Sequence, residues 1–492
     1  AVVDGLVMSR FPHVTAAVDR SRGGRTTAAF FDFDGTLIAG FSVASFVARK
    51  LFTGRMGPQE ALEQLLTIGD YGLGRTDFAG LLERAARSLH GTPDGVIWDF
   101  AREVFEKDVS ADLYPESRAL VEAHMRKGHT VVIVSSATQY QVEPAAAELG
   151  IEHVLCTRLE VEDGAVTGEL AGPMCYGVGK LDAARRFARD KRISLAKSYF
   201  YTDGSEDIPL LEAVGFPRPL NPDGTLRRKA RREGWPVQRF ESRGLPSATD
   251  VTRTGLVYGA LVGSFLVGVP AWLLNRSWKD LTRVAIPTWG DFGSAVAGLD
   301  INATGEEHLW SHRPAVFIFN HQSAADALIL SRLLRQDFTG IAKKEMKSNP
   351  LLGTVLGAVG TIFIDRSNKD KAIEALQPAV DNLKSGMSFA IAPEGRRSLG
   401  YRLGAFKKGA FHIAMQAGVP VVPIVIANSS DSMPKNGMFI RPAPIDVTVL
   451  PPVSTSTWTV DTIDEHIDSI RQMFLKELGQ ARTPDRKLKR VK

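Results

Sequence analysis

Cysteine is scarce in this chain of 492 residues, which has only Cys156 and Cys175. Two thiols cannot build a disulfide framework, and neither stands in a paired metal-ligand spacing, so a stapled secreted scaffold and a zinc ribbon are both excluded. A reducing cytoplasm is the expected compartment. The first 25 residues lack an uninterrupted apolar core, because Asp4, Arg10, Asp19 and Arg20 interrupt it. They do not read as a secretory signal and are expected to form a flexible lead-in. A strong charge imbalance is missing too: 60 Lys and Arg stand against 55 Asp and Glu, for a formal net charge of +5. The positive excess gathers at 227–232 and in a basic tail at 481–492. Such clusters suit anionic lipid headgroups or nucleic acid, or else a solvated helix face and a frayed tail.

Apolar residues make up 44% and charged residues 23%, an ordinary balance for a folded chain. Single cores stop growing at about 250 to 300 residues, so more than one domain is expected.

Residues 28–33 form an apolar, aromatic run that reads as a buried parallel strand, ending in Asp32-Phe33-Asp34-Gly35-Thr36. Two carboxylates two apart at a strand end point the same way. The glycine lets the chain turn so that both can face a divalent metal and a phosphate, one attacking phosphorus while the other manages the leaving group's proton. A second buried strand at 130–136 ends in the hydroxyls of Ser135 and Ser136. Lys180 follows Gly177 and Gly179 at a helix start, where an ammonium can neutralise a phosphate. A third strand at 198–202 ends in Asp203-Gly204-Ser205-Glu206-Asp207, whose two aspartates can complete a magnesium site. Ligands gather at the carboxyl ends of parallel strands, so this repetition is the layout of an α/β domain.

These blocks resemble the haloacid dehalogenase superfamily of phosphohydrolases over about 26–236. The resemblance implies a Rossmann-like domain, placed at 26–240, with Asp32 as the nucleophile and Asp34 as general acid/base. Ser135 and Lys180 would hold the phosphoryl group, and Mg2+ would be held by Asp32, Asp34, Asp203 and Asp207. The insert at about 41–124 is mostly helical in its apolar spacing, as at 61–68 and 81–89, and resembles the helical cap of the subgroup containing phosphoserine phosphatase. The catalytic frame is matched and the substrate-reading residues are not. Asp34-Gly35-Thr36 and Ser135-Ser136-Ala137 stand where phosphoserine phosphatases usually have Asp-Ser-Thr and Ser-Gly-Gly, so phosphoserine is not implied as substrate.

A linker at 241–253 is marked by Arg243, Gly244, Pro246 and Ser247. Residues 254–274 then run without a charge, long enough as a helix to cross about 30 Å of hydrocarbon. Gly259, Gly263, Gly268 and Pro270 weaken a continuous helix, and basic residues flank both ends: Arg253 before, Arg276, Lys279 and Arg283 after. Positive flanks mark the cytoplasmic side. The expectation is a membrane-associated helical hairpin at 254–284, monotopic on the cytoplasmic face of the cell membrane. It would break near 268–270 and continue as an amphipathic helix to about Val284. A single span and a buried joining helix are the competing readings.

The apolar run 315–319 leads into Asn320-His321-Gln322-Ser323-Ala324-Ala325-Asp326. Such a histidine and aspartate can meet across one helical turn, the carboxylate fixing one tautomer and leaving the other nitrogen to take a proton from a hydroxyl. Downstream come Gly360-Thr361-Ile362-Phe363-Ile364-Asp365-Arg366, Ala392-Pro393-Glu394-Gly395-Arg396-Arg397-Ser398 and Val419-Pro420-Val421-Val422-Pro423. In order and spacing the four blocks resemble the 1-acylglycerol-3-phosphate acyltransferases, over about 298–452 within a domain placed at 285–480.

That resemblance implies acyl-CoA as co-substrate and membrane lipids as partners, lysophosphatidic acid being acylated to phosphatidic acid, with no nucleic acid partner. His321 would be the base and Asp326 its orienter. Arg366, Arg396 and Arg397 would bind the acceptor's phosphate, Gly395 would let the backbone approach it, and Glu394 would orient the arginines or the glycerol. Pro423 belongs to the block that shapes the acyl channel. Arg396 stands where the family usually has threonine, and Ala392 where it has phenylalanine, at positions that would set headgroup and acyl selectivity. Strands are expected at 300–303, 315–320, 361–364, 388–391 and 419–425, with Pro420 and Pro423 confining the last to an edge or a bulge. Ser323 reads as a helix-start hydroxyl, and 462–478 as a closing amphipathic helix. Other readings stay open: an acyltransferase for another lysophospholipid, a first domain that only senses phosphate, and a membrane-bound scaffold.

Overall fold

The computed structural model describes residues 11–57, 78–348, 352–364, 377–398 and 401–480. The expectations at 61–68, at Arg366 and in the tail 481–492 lie outside the described residues. The chain divides into two compact units, 1–245 and 246–492, and each is described by itself.

In the first unit a five-stranded sheet has the order β3-β2-β1-β6-β7. Its strands are β1 (Ala28–Phe31), β2 (Thr130–Thr138), β3 (His153–Thr157), β6 (Tyr199–Thr202) and β7 (Phe216–Pro219), and every pairing is parallel. All four residues of β1 are fully buried, as a central parallel strand covered on both faces requires. Ala29 and Phe31 pack with Leu120, Val121, Val142 and Ala145, while Ala28 and Phe30 pack with Leu181, Ala184, Leu210 and Leu226 on the other face. The chain leaves β1 for β2 on one side and later returns to β6 on the other, so the strand order reverses beside the carboxyl end of β1. That crevice is where open α/β sheets bind ligands.

The insert begins where expected but ends earlier, and a ribbon from outside it joins its core. The helices Ser42–Phe52, Phe78–Arg87 and Asp94–Lys107 lie within it. Pro115–Arg126, inside the expected cap limits, instead packs on the sheet through Leu120, Val121 and Ala123. A two-stranded antiparallel ribbon, β4 (Leu159–Glu162) with β5 (Ala165–Leu170), was not anticipated. Leu159 and Val166 of that ribbon join Ala86, Ile97, Ala101 and Tyr140 in a separate small core. Its turn is Asp163-Gly164, both at positive φ (48° and 78°), the dipeptide that two-residue hairpins favour.

Near the start of β2 a buried polar chain fixes two neutral histidines. The Arg22 carbonyl can only accept, so His129 Nε2 donates to it at 3.0 Å. His129 Nδ1 then accepts from His124 Nδ1 at 2.8 Å, and His124 Nε2 accepts from the Tyr201 hydroxyl at 3.1 Å. Burial holds His124 well below the usual histidine pKa, helped by His129 and Arg218, and burial also lowers His129. Since the folded values are depressed, the unfolded chain binds more protons in mild acid. This contribution to stability is full above the unfolded value of about 6.5 and is lost as pH falls from there toward the folded value. The melting-temperature advantage of the wild type over His124→Phe should therefore narrow between about pH 7.5 and pH 5.5. A constant difference over that range would contradict neutral burial.

The second unit opens with two antiparallel-packed helices, Ala248–Asn275 and Trp278–Ala297. The expected break at 268–270 is not there: the first helix runs through Pro270, and the chain turns at Arg276, which takes a left-handed conformation (φ 51°). A proline inside a helix removes one backbone bond and kinks it without having to end it. Gly268 serves close packing instead, since a Cβ there would lie 2.7 Å from the carbonyl oxygen of Leu281 on the second helix. Ser247 caps the first helix, its hydroxyl accepting from Asp250 N while the Asp250 carboxylate accepts from Ser247 N.

Seven strands follow in the order β11-β10-β12-β9-β13-β14-β8. They are β8 (Leu299–Thr304), β9 (Val316–Phe319), β10 (Phe338–Lys343), β11 (Ile362–Ile364), β12 (Ser388–Ile391), β13 (Val421–Ile426) and β14 (Ala443–Val449), and only the β13–β14 pair is antiparallel. β13 is an interior strand in continuous register with β9 and β14, neither the edge nor the bulge that its prolines imply. The Pro423 carbonyl accepts from Leu450 N at 2.9 Å, so the side where its N–H is missing faces the chain just past the end of β14. The lost bond falls at the end of a ladder, where it interrupts nothing. The helix Asp326–Leu334 covers one face through Leu328, Ile329, Leu333 and Leu334. The closing helix Ile463–Glu477 buries Ile463, Ile467, Ile470 and Phe474 on the other, at the three- and four-residue spacing of one helical face.

Candidate active sites

In the first unit, Asp32 sits one residue past β1, in the crevice where strand order reverses. Its Oδ1 accepts from Phe33 N at 2.7 Å, and its Oδ2 lies 3.0 Å from Lys180 Nζ. The same ammonium is 2.8 Å from Asp207 Oδ2, which also accepts from the Thr202 hydroxyl at 2.6 Å. Burial opposes the charge on Lys180, but Asp207 and Asp32 outweigh it and hold the side chain protonated. One positive charge serves more than one buried carboxylate. Burial accordingly lifts Asp32 well above the usual carboxylate range despite Lys180, with Asp207 and Asp203 adding to the rise.

Burial followed by Glu206 pushes Asp203 up to about 7. Asp203 Oδ1 accepts from the Thr36 hydroxyl at 3.4 Å. Gly35 (φ +71°) makes its place possible, since a Cβ there would lie 2.0 Å from Asp203 Oδ2. Asp34 has a different partner: its oxygens accept from Ser42 N at 2.6 Å and from the Ser42 hydroxyl at 3.2 Å, and burial pushes it up to about 6. Ser135, buried near the end of β2, accepts from Ala137 N at 3.1 Å and keeps its own proton to donate.

The donor set is all oxygen, the kind magnesium takes. Asp207 Oδ1 is buried without a hydrogen-bond partner, Asp32 and Asp207 share one ammonium, and Asp203 lies close enough to raise Asp32. These residues fit a divalent cation. Of the expected set of four, Asp34 is the one whose two oxygens both accept from Ser42. Among the described residues no three His, Cys, Asp or Glu side chains form a ready metal cluster, and Lys180 bridges Asp32 and Asp207 instead.

In the second unit, His321 and Asp326 do not meet across a helical turn. Asp326 is the first residue of its helix and His321 lies in the loop after β9, which folds back so that Nδ1 is 2.6 Å from Asp326 Oδ2. That oxygen also accepts from Gln322 N and Ser323 N, each at 3.0 Å, and Asp326 is fully buried. With Nδ1 donating to a carboxylate, Nε2 is left as the acceptor. The backbone of His321 is gripped as well. Its N–H donates to Glu394 Oε1 at 2.9 Å, and its carbonyl accepts from Ser398 N at 2.7 Å. The other Glu394 oxygen accepts from Gly404 N at 2.8 Å.

Family models match the chain twice: a haloacid dehalogenase-like hydrolase over residues 29–212 and an acyltransferase over residues 300–427. A probable phosphatase of Mycobacterium tuberculosis is 36% identical over 220 residues, covering 44% of this chain and 75% of that protein. A 1-acyl-sn-glycerol-3-phosphate acyltransferase of Limnanthes douglasii is 36% identical over 190 residues, covering 38% of this chain and 67% of that enzyme. The chain belongs to both families, a haloacid dehalogenase-like hydrolase joined to an acyltransferase. The corresponding acyltransferase of Saccharomyces cerevisiae is 40% identical over 189 residues, 37% of this chain, and the chain spans 62% of that relative's length.

In the acyltransferase half, Glu394, expected to orient the arginines or the glycerol, is engaged by backbone and, among the described residues, not by the arginines. Both of its oxygens are taken by backbone N–H groups, and among the described residues neither Arg396 nor Arg397 forms an ion pair. Gly395 (φ +73°) admits the side chain of Lys407, whose Nζ would lie 2.9 Å from a Cβ there. Ser323 is fully committed, donating to the Met433 carbonyl at 2.6 Å and accepting from Ala325 N at 3.0 Å. Sequence reasoning missed Asn320, whose amide bonds both Ile426 O (2.7 Å) and Ile426 N (2.8 Å) and so ties the base-bearing loop to β13. It also missed Gly404, where a Cβ would come 2.7 Å from Glu394 Oε2. In the hydrolase half it missed Ser42 and Thr202. Small polar residues scattered between blocks carry no spacing signal that would have revealed them.

Charge-assisted bonds of the Glu394 kind are worth about 1.5 to 3 kcal/mol each. Glu394→Gln keeps one acceptor oxygen and loses the other. We expect acyl transfer to fall by on the order of tenfold in kcat with little change in acceptor KM, and Gly404→Ala to behave alike. A large rise in acceptor KM at constant kcat would return Glu394 to the substrate.

Proposed function

We propose that the C-terminal half transfers an acyl group from acyl-CoA to the free hydroxyl of lysophosphatidic acid, giving phosphatidic acid and CoA. The observation that carries this reading is the buried Asp326 carboxylate holding His321 Nδ1 at 2.6 Å. Nε2 takes the hydroxyl proton as the oxygen attacks the thioester carbonyl. The Asp326 carboxylate stabilises the resulting imidazolium, which returns the proton to the departing CoA sulfur, so no acyl-enzyme forms. Arg396 and Arg397, with Arg366, receive the acceptor's phosphate, and Pro423 lies in the block assigned to the acyl chain.

The N-terminal half is assigned as a phosphomonoester hydrolase. Asp32 attacks phosphorus, Asp34 held by Ser42 gives the leaving oxygen its proton, and Lys180 with Ser135 holds the phosphoryl oxygens. Burial up to about 6 keeps Asp34 partly protonated near neutrality, which suits an acid. Asp32, Asp203 and Asp207 would hold Mg2+, which when bound neutralises phosphate charge.

Membrane association on the cytoplasmic face belongs to the same reading. Its support is the helix Ala248–Asn275, long and apolar enough by length and composition to cross a membrane. Leu256, Val262, Leu266, Val267 and Leu274 are exposed along it, and Arg276 and Lys279 stand at the turn.

His321→Ala should cost a hundred- to ten-thousand-fold in acyl transfer, about the range for a lost general base, while phosphate release persists. Asp32→Asn should stop phosphate release and leave acyl transfer intact. Full transfer in the alanine variant removes the base assignment. For the membrane arrangement, single cysteines introduced at Ser247 and Ser311, in a background lacking Cys156 and Cys175, should react with an impermeant label from the same side of sealed vesicles. Labelling from opposite sides would make the helix a true span.

A further inference from the structure

The helix Ser42–Phe52 begins at the Asp34 clamp, since its first residue, Ser42, makes both bonds to that carboxylate. Phe41, Ser45, Ala48 and Phe52 fall four, seven and eleven residues along from the first, which at 3.6 residues per turn is a single face. That face is turned outward: Phe41 is 62% and Phe52 84% exposed, and Ala48 is exposed between them. It carries no charge. The helix contains no acidic residue; of its two basic residues, Lys50 falls on the opposite side from the stripe, and Arg49 is held off it by a bidentate pair with Asp108, at 2.7 and 2.5 Å. An uncharged track about 16 Å long thus leads away from the phosphate end of the site.

A zwitterionic phosphoester would need a carboxylate for its ammonium and a free guanidinium for its carboxylate, and the track offers neither. An acyl chain needs apolar surface alone. We propose that the hydrolase half acts on acylglycerol phosphates, phosphate monoesters bearing at least one fatty acyl chain, with the chain lying along Phe41, Ala48 and Phe52. This rests on the phosphatase reading above. In the reaction the bond from phosphorus to the glycerol oxygen breaks, water's oxygen ends on phosphorus, and the glycerol oxygen leaves with a proton. The acyl ester is untouched, and the products are an acylglycerol and inorganic phosphate. The second half of the chain points to the same class, because acceptor and product of its proposed transfer are both acylglycerol phosphates.

The test is phosphate release by the full chain with Mg2+ and no acyl donor. The substrates are 1-oleoylglycerol 3-phosphate, dioleoylglycerol 3-phosphate, glycerol 3-phosphate, phosphoserine and p-nitrophenyl phosphate. Either acylated substrate should exceed glycerol 3-phosphate and phosphoserine in kcat/KM by about tenfold or more, the scale of burying one large apolar side chain. Phe52→Asp, at an exposed position where folding is not at stake, should lower the ratio of acylated to p-nitrophenyl phosphate turnover by about tenfold. Cleavage of p-nitrophenyl phosphate with no preference for the acylated substrates, or an unchanged ratio in the variant, overturns the inference and leaves the phosphatase reading standing. Release from none of the five overturns both.

Discussion

Carboxylates taken out of water organise both halves of this chain. A buried carboxylate costs several kcal/mol unless donors surround it, so each one dictates what must stand beside it. Asp326 is met by an imidazole and two backbone N–H groups, and Glu394 by the N–H groups of His321 and Gly404. Between them they fix the ring and the backbone of one histidine. In the other half Asp207 is met by Lys180 and Thr202, Asp34 by Ser42, and Asp32 by Phe33 N and Lys180. Here the donors fall short of the charge. Burial, with the neighbouring carboxylates adding to it, lifts Asp32 and Asp203, and a divalent cation would make good the missing positive charge.

Both sites arise where parallel strands end. A central strand such as β1 or β9 is buried on both faces and can hold only apolar side chains, so its chemistry waits until the backbone leaves the ladder. There the freed N–H groups of a tight loop serve as donors, as Gln322 and Ser323 do for Asp326. Glycine decides how closely the pieces approach: Gly35 admits Asp203, and Gly404 admits Glu394. Gly268 does the same between the two long helices. Gly290, where a Cβ would lie 2.5 Å from Arg332 N, brings the second of them onto the helix that begins with Asp326.

Within the described residues, the blocks of each family, the strands that carry them and the long apolar stretch are legible in the sequence, because each is local: a run of like residues, or a fixed spacing, read from neighbours in the chain. The expected linker at 241–253 is not, since its second half already belongs to the helix Ala248–Asn275 and Arg243 is buried. The Asp163-Gly164 ribbon was equally legible and was overlooked. Where reading failed, the outcome turned on residues far apart in sequence. Pro423 sits in an interior strand because β14 happens to end opposite it. The first long helix passes its proline because it packs along the second and turns only at Arg276.

The sequence by itself therefore determined which chemical groups each half possesses, and that they lie at strand ends, since periodicity and spacing are properties of the chain. Only the tertiary structure decided which of those groups meet. Glu394 and His321 are 73 residues apart, Lys180 and Asp207 27, and no local rule joins them. Their pairing follows from sheet order, which brings distant strand ends to one edge, and from burial, which leaves a carboxylate there no partner but the donors packed against it.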